Sequence, residues 1–77
     1  MNLQQATVSR IRELCRQNNL SEYKMIELSD IPSSTIKCIL SGKTRNPGIE
    51  NIKKIAAVFG LGIREFFDSD LFDDLDE

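Results

Sequence analysis

The side chains best suited to chemistry lie between residues 33 and 45. Small polar residues and one lysine recur there on one face of a short helical pattern. They are Ser33, Ser34, Lys37 and Ser41, with Cys38 at the edge of the face. A basic loop follows directly, with Lys43 and Arg45. Such groups can hydrogen-bond to the edges of bases and pair with phosphates. We expect no enzyme activity, because the sequence has no histidine, no phosphate-binding loop and no nucleophile with a base in reach.

Two short helices must position these side chains. Ile36, Ile39 and Leu40 are spaced at i, i+3 and i+4 opposite the polar face, which predicts a helix over residues 33–41. A preceding helix is expected over residues 22–28, and a tight turn joins the two. Neither helix is long enough to be stable alone, so neighbouring helices must hold them. This is the form of a helix-turn-helix, whose second helix enters a DNA major groove.

A longer helix is expected at the start of the chain, over residues 2–18. Asn2 and Gln5 have the spacing of a capping box, which marks a helix start. One face of this helix carries an apolar stripe, formed by Val8, Ile11, Leu14 and Cys15. Arg10 and Arg12 are predicted to lie on or near the opposite, solvated face.

The remaining apolar residues predict two further helices, over residues 49–59 and 63–68. The apolar face of the first comprises Ile49, Ile52, Ile55, Ala56 and Phe59. No strand-like alternation lasts more than a few residues, and 77 residues make one domain. We therefore expect an all-α protein, a compact domain of five helices with a possible short extra helix at the C-terminal end.

The charges of the two signs are segregated along the chain. Residues 1–65 carry ten basic and six acidic residues, a net charge of +4, whereas residues 66–77 carry six acidic residues and no base. A mildly basic body can bind nucleic acid, and an acidic end is repelled by phosphate. We expect a domain over residues 1–68 and an acidic amphipathic tail over residues 69–77.

The tail also carries large apolar residues. Leu71 and Leu75 continue a spacing of four residues from Phe67, which is unusual for a disordered segment. We expect these side chains to pack either on the core of their own domain or on a second chain.

The two cysteines, Cys15 and Cys38, lack the further cysteines or histidines of a zinc site. No cofactor, metal or small-molecule ligand is expected. The sequence shows no signal peptide and no apolar run long enough to span a membrane, so we expect a cytoplasmic protein with both thiols reduced.

Five short motifs carry a resemblance to a known family. They are Ser34-Thr35-Ile36, Gly42-Lys43, Asn46-Pro47, Ile55-Ala56 and Gly60-Leu61. With these motifs in register over residues 5–68, the chain resembles the phage-repressor and Cro-like (XRE-type) helix-turn-helix regulators. The resemblance implies a five-helix, lambda-repressor-like domain that binds double-stranded operator DNA as a homodimer. The chain departs from the family at Glu22, where glutamine usually helps to hold a phosphate, and at Ile26, where alanine is usual.

The resemblance also implies roles for individual residues. Base contacts are implied for Ser33, Ser34, Lys37 and Cys38. Phosphate contacts are implied for Ser21, Thr35, Ser41, Lys43, Thr44 and Arg45, and we expect the outward Lys24 to join this surface. The dimer contact is expected around the fifth helix and the tail, at Leu61, Ile63, Phe67, Leu71 and Leu75.

The sequence thus predicts a sequence-specific DNA-binding regulator, a repressor acting as a homodimer. The alternative is an antitoxin-like or anti-repressor protein, whose acidic apolar tail binds another protein.

Overall fold

The computed structural model describes residues 1–76, and helices account for all of the regular structure in that range. The helices are α1 (Leu3–Gln17), α2 (Glu22–Leu28), α3 (Ser33–Ser41), α4 (Ile49–Val58) and α5 (Ile63–Phe66), followed by one 3₁₀ turn (Asp70–Phe72). The predicted all-α class is confirmed, with the 3₁₀ turn as the short extra helix. No helix in this part of the chain is long and apolar enough to cross a membrane.

Local signals set the ends of the first three helices, and the predicted capping box is present at the start of α1. Asn2 and Gln5 form the capping box: the Asn2 side chain accepts the Gln5 N–H at 2.8 Å, and the Gln5 side chain accepts the Asn2 N–H at 2.9 Å. Ser21 caps α2 by accepting the Lys24 N–H at 3.0 Å. Asp30 in the turn has a φ of 60° and Gly42 at the end of α3 has a φ of 85°, a region that Asp tolerates and glycine favours.

The core takes buried side chains from all five helices. Its largest fully buried members are Ile11, Met25, Ile36, Ile39, Ile55 and Phe66. Ile36 and Ile39 anchor α3, so this helix is held by tertiary packing rather than by its own propensity. Ile26 and Leu40 are only half-buried at the rim of this core.

Two predictions about the faces of helices are wrong. Ile49 was placed on the apolar face of α4, but its side chain is 62% exposed. As the first residue of α4, it lies at the rim of a surface groove with Leu3 and Pro47, outside the part of the helix that packs on the core. Arg10 was placed on the solvated side of α1, but only 8% of it is exposed.

Arg10 is buried because it satisfies the end of another helix. Its Nε donates to the Phe66 carbonyl at 2.6 Å and its Nη2 donates to the Glu65 carbonyl at 2.9 Å, while its Nη1 donates to the Glu13 carboxylate at 2.7 Å. The last carbonyls of a helix lack intrahelical partners and form the negative end of its dipole. The guanidinium therefore loses its hydrogen bonds to water but gains hydrogen bonds to the carbonyls of α5.

The tail folds back onto its own domain. The Phe72 ring packs edge-on against Phe67, with 4.9 Å between ring centroids, and its centroid lies 6.5 Å from that of Phe66. The Asp76 N–H donates to the Met1 carbonyl at 3.1 Å, which brings the tail beside the start of α1. Phe72 thus packs on the core of its own domain, whereas Leu71 and Leu75 are only half-buried, so their packing on a second chain stays a prediction.

Candidate nucleic-acid interface

The outward face of α3 is polar and open to solvent. Ser33, Ser34, Lys37 and Ser41 are exposed, whereas Thr35 and Cys38 are half-buried at its edges. Ser41 Oγ donates to the Cys38 carbonyl at 3.2 Å, within the last turn of the helix. The predicted base-contacting residues therefore lie together on one face, with buried isoleucines beneath them.

The loop after α3 is tied to the start of α1. The Gln4 side-chain amide donates to the Gly42 carbonyl and, at 3.0 Å, to the Thr44 carbonyl. The Thr44 N–H donates to the Cys38 carbonyl at 3.1 Å. These bonds hold the exposed Lys43 and the exposed Arg45 next to the C-terminal end of α3.

The predicted contacts on α2 are engaged within that helix. Ser21 Oγ accepts the Lys24 N–H as the helix cap, and its own hydroxyl hydrogen still allows it to donate. The Lys24 ammonium lies 3.0 Å from the Glu27 carboxylate, with both side chains about half exposed. An exposed pair of this kind contributes little stability and opens readily.

Arg12 also belongs to this surface, although it was not among the predicted contacts. Its Nε donates to the Glu22 carboxylate at 3.1 Å. Both residues line one surface groove beside α3; its walls are Arg12, Glu22, Tyr23, Ile26, Lys37, Leu40 and Ser41. Sequence reasoning missed Arg12 because its proximity to Lys37 depends on how α1 crosses α2 and α3.

The five residues predicted to form a dimer contact are not equally available. Leu61 and Phe67 pack partly against the domain's own core, and Leu71 and Leu75 are half-buried in the tail. Ile63 is the most exposed of the five, at 36%. The structure brings Phe67 and the tail together on one side of α5, around Phe72.

The two cysteines differ in environment and are not joined. Cys15 is buried in the core and Cys38 is half-buried on α3. Burial raises the pKa of the Cys15 thiol, the Glu22 carboxylate raises this pKa further, and Arg16 opposes both effects. Cys15 is therefore a neutral core side chain near pH 7.

Most of the chain is similar to known helix-turn-helix proteins. The helix-turn-helix family matches residues 11–66 of the chain. The HTH-type transcriptional regulator PuuR of Escherichia coli (strain K12) is 36% identical over 58 residues, which cover 75% of this chain and 31% of that protein. PuuR of Shigella flexneri matches with the same identity and coverage. The chain thus spans less than a third of the length of these relatives. No solved structure gives a significant match.

Proposed function

Because the chain belongs to the helix-turn-helix family, we propose that it is a sequence-specific double-stranded DNA-binding regulator, a cytoplasmic repressor that occupies its operator as a homodimer. One observation carries this proposal: α3 exposes Ser33, Ser34 and Lys37 on the face opposite the buried Ile36 and Ile39. A rigidly anchored helix with a hydrogen-bonding outer face is suited to a major groove.

Bases are read from the outer face of α3. The Lys37 ammonium donates to guanine O6 or N7, and the serine hydroxyls donate or accept at several bases. Cys38, at the edge of the face, lies against the neighbouring base pair. These side chains bias the protein towards a sequence, whereas its position along the duplex is set by the backbone contacts.

Phosphates are held on both sides of that face. Lys43, Thr44 and Arg45 contact the backbone from the loop that Gln4 holds in place, and Thr35 and Ser41 do so from α3 itself. Ser21 and Lys24 contact it from α2, after the exposed Lys24–Glu27 pair opens. The acidic tail packs against α1 and the end of α5. Its carboxylates therefore lie beside those helices and not on the reading helix α3.

The homodimer supplies affinity that one domain lacks. Few basic side chains face the duplex, so a single domain binds weakly at physiological salt. Linking two domains makes the second binding event intramolecular. We assign the contact to α5 and the tail, with Ile63 at its centre and Leu61, Phe67, Leu71 and Leu75 around it.

The alternative function, protein binding through the tail, has less support. The family match supports DNA binding, whereas a protein partner would have to contact the half-buried Leu71, Phe72 and Leu75 of the tail. Mutation separates the two functions: Leu71→Asp and Leu75→Asp should abolish binding to a protein partner under the alternative, while Lys37→Ala should leave that binding unchanged.

The proposal is tested by measuring affinity for a fluorescent duplex that carries the DNA upstream of the protein's own gene. A scrambled duplex is the control, and both are titrated at two salt concentrations. We expect tight, salt-sensitive binding to the native duplex alone, lost in Lys37→Ala and kept in Lys53→Ala, whose exposed lysine lies on α4. Wild-type affinity in Lys37→Ala would refute the assignment of α3 as the reading helix.

A further inference from the structure

The ion pair between Arg12 and Glu22 joins α1, which lies outside the helix-turn-helix, to the first residue of α2, and it has no role in the DNA contacts proposed so far. Its partners come from α1 and α2, and their side chains are 47% and 45% exposed. Exposed pairs of this kind contribute little to stability. Stability alone therefore gives little reason for an arginine and a glutamate to meet here.

The geometry of the pair leaves most of the guanidinium available. The bond to Glu22 uses Nε, at 3.1 Å. The two terminal amino groups of an arginine carry its other N–H donors, arranged as a planar fork that matches the oxygens of a phosphate. A carboxylate at Nε thus orients the fork without occupying it.

The location of the pair places that fork beside the reading helix. Arg12 lines the same surface groove as Lys37 and Ser41 of α3 and Tyr23 of α2. A duplex that receives α3 in its major groove brings its sugar-phosphate backbone to the rim of that helix. Glu22 alone would repel this backbone, and Arg12 offsets its charge.

We propose that Arg12 is an additional phosphate contact of the DNA-binding surface and that Glu22 is its positioning residue. This inference rests on the proposed function and deepens it: the ligand is the backbone of the bound duplex, contacted from α1. The Glu22 carboxylate, which by itself would repel DNA, thus positions a cation that contacts DNA.

The test uses the full chain and a short fluorescent duplex enriched on it from a random library. Arg12→Ala should weaken binding about tenfold at low salt and reduce the slope of log affinity against log salt by about 0.9, the value for one lost phosphate contact. Lys53→Ala removes the same charge from α4 and should leave the slope unchanged. Arg12→Lys keeps the charge but loses the fork, so its affinity should fall between those of Arg12→Ala and wild type.

The role of Glu22 is tested by a double-mutant cycle. Glu22→Gln removes a charge that repels phosphate and, in wild type, also removes the support of Arg12. In the Arg12→Ala background only the first effect remains, so Glu22→Gln should increase affinity more there than in wild type. Additive effects would overturn the positioning role.

Lys37→Ala, measured with the same duplex, distinguishes a failure of the proposed function from a failure of the Arg12 phosphate contact alone. If no duplex is enriched, or if Lys37→Ala binds like wild type, the proposed function itself fails. If Lys37→Ala binds weakly while Arg12→Ala keeps the salt slope of Lys53→Ala, the phosphate contact alone is refuted. Urea unfolding verifies that each variant is folded, and the unfolding midpoint should change little because the pair is exposed.

Discussion

Arg10 on α1 is bonded to the final turn of α5: its Nε donates to the Phe66 carbonyl at 2.6 Å across 56 residues of sequence. Phe66 is fully buried, and Arg10 is only 8% exposed. With four residues, α5 is too short to be stable alone. The helix at which we place the dimer contact is thus held by a buried cation from the other end of the chain.

We predict that Arg10→Met lowers the free energy of unfolding by about 2–3 kcal/mol, because the carbonyls of Phe66 and Glu65 lose a charged donor. Urea unfolding followed by circular dichroism measures the change. Arg16→Met, on the exposed side of the same helix, is the control and should change stability by less than about 0.5 kcal/mol. An equal loss of unfolding free energy in Arg10→Met and Arg16→Met would show that the hydrogen bonds of Arg10 to α5 contribute no specific stability.

Gln4 is predicted to support DNA binding from a distance. Gln4→Ala removes two donors to the loop after α3, so Lys43 and Arg45 lose their fixed position. DNA affinity should fall about three- to tenfold, while the free energy of unfolding falls by about 1 kcal/mol. Gln4→Glu should be worse than Gln4→Ala at pH 7, because a carboxylate would face two carbonyl acceptors. Faster amide exchange at Thr44 is the independent readout, and unchanged exchange would contradict the prediction.

The packing of the tail predicts a stabilising role for Phe72. Phe72→Ala should lower the free energy of unfolding by about 2 kcal/mol, less than for a fully buried ring because Phe72 is half-buried. Tyr23→Ala is a matched aromatic control, since Tyr23 is 76% exposed, and it should be nearly neutral. A chain lacking residues 69–77 should lose at least as much stability as Phe72→Ala. Full stability in that truncated chain would mean that the tail does not support the core.

The two thiols should differ in reactivity and in their effect at alkaline pH. Iodoacetamide should modify the half-buried Cys38 and spare Cys15 in the native state, which peptide mass spectrometry can resolve. Since burial raises the pKa of Cys15, the folded chain keeps its proton while the unfolded chain releases it above about pH 8.5. The stabilising effect of this thiol is therefore complete at lower pH and declines as pH rises towards the folded-state pKa. The difference in unfolding free energy between wild type and Cys15→Ala should shrink over that range. A constant difference would contradict a raised pKa of Cys15 in the folded chain.

Sequence by itself determined the features that arise from interactions within a few residues. The capping box of Asn2 and Gln5 predicted the start of α1, because it depends on local backbone geometry, as do the Ser21 cap and the left-handed Gly42. Helical periodicity likewise predicted which face of α3 is polar. The arrangement of Ser33, Ser34 and Lys37 on one exposed face followed from that periodicity alone.

Only the tertiary structure decided the features that depend on which distant surfaces meet. Apolar periodicity assigns every arginine to a solvated face, yet Arg10 is buried because the carbonyls of α5 take the place of water. The meeting of Arg12 with Glu22 and the return of Phe72 to the core likewise require helix crossings that residue spacing does not encode. Long-range contacts are set by the joint packing of all the helices, since each side chain is stabilised by partners that no local segment contains.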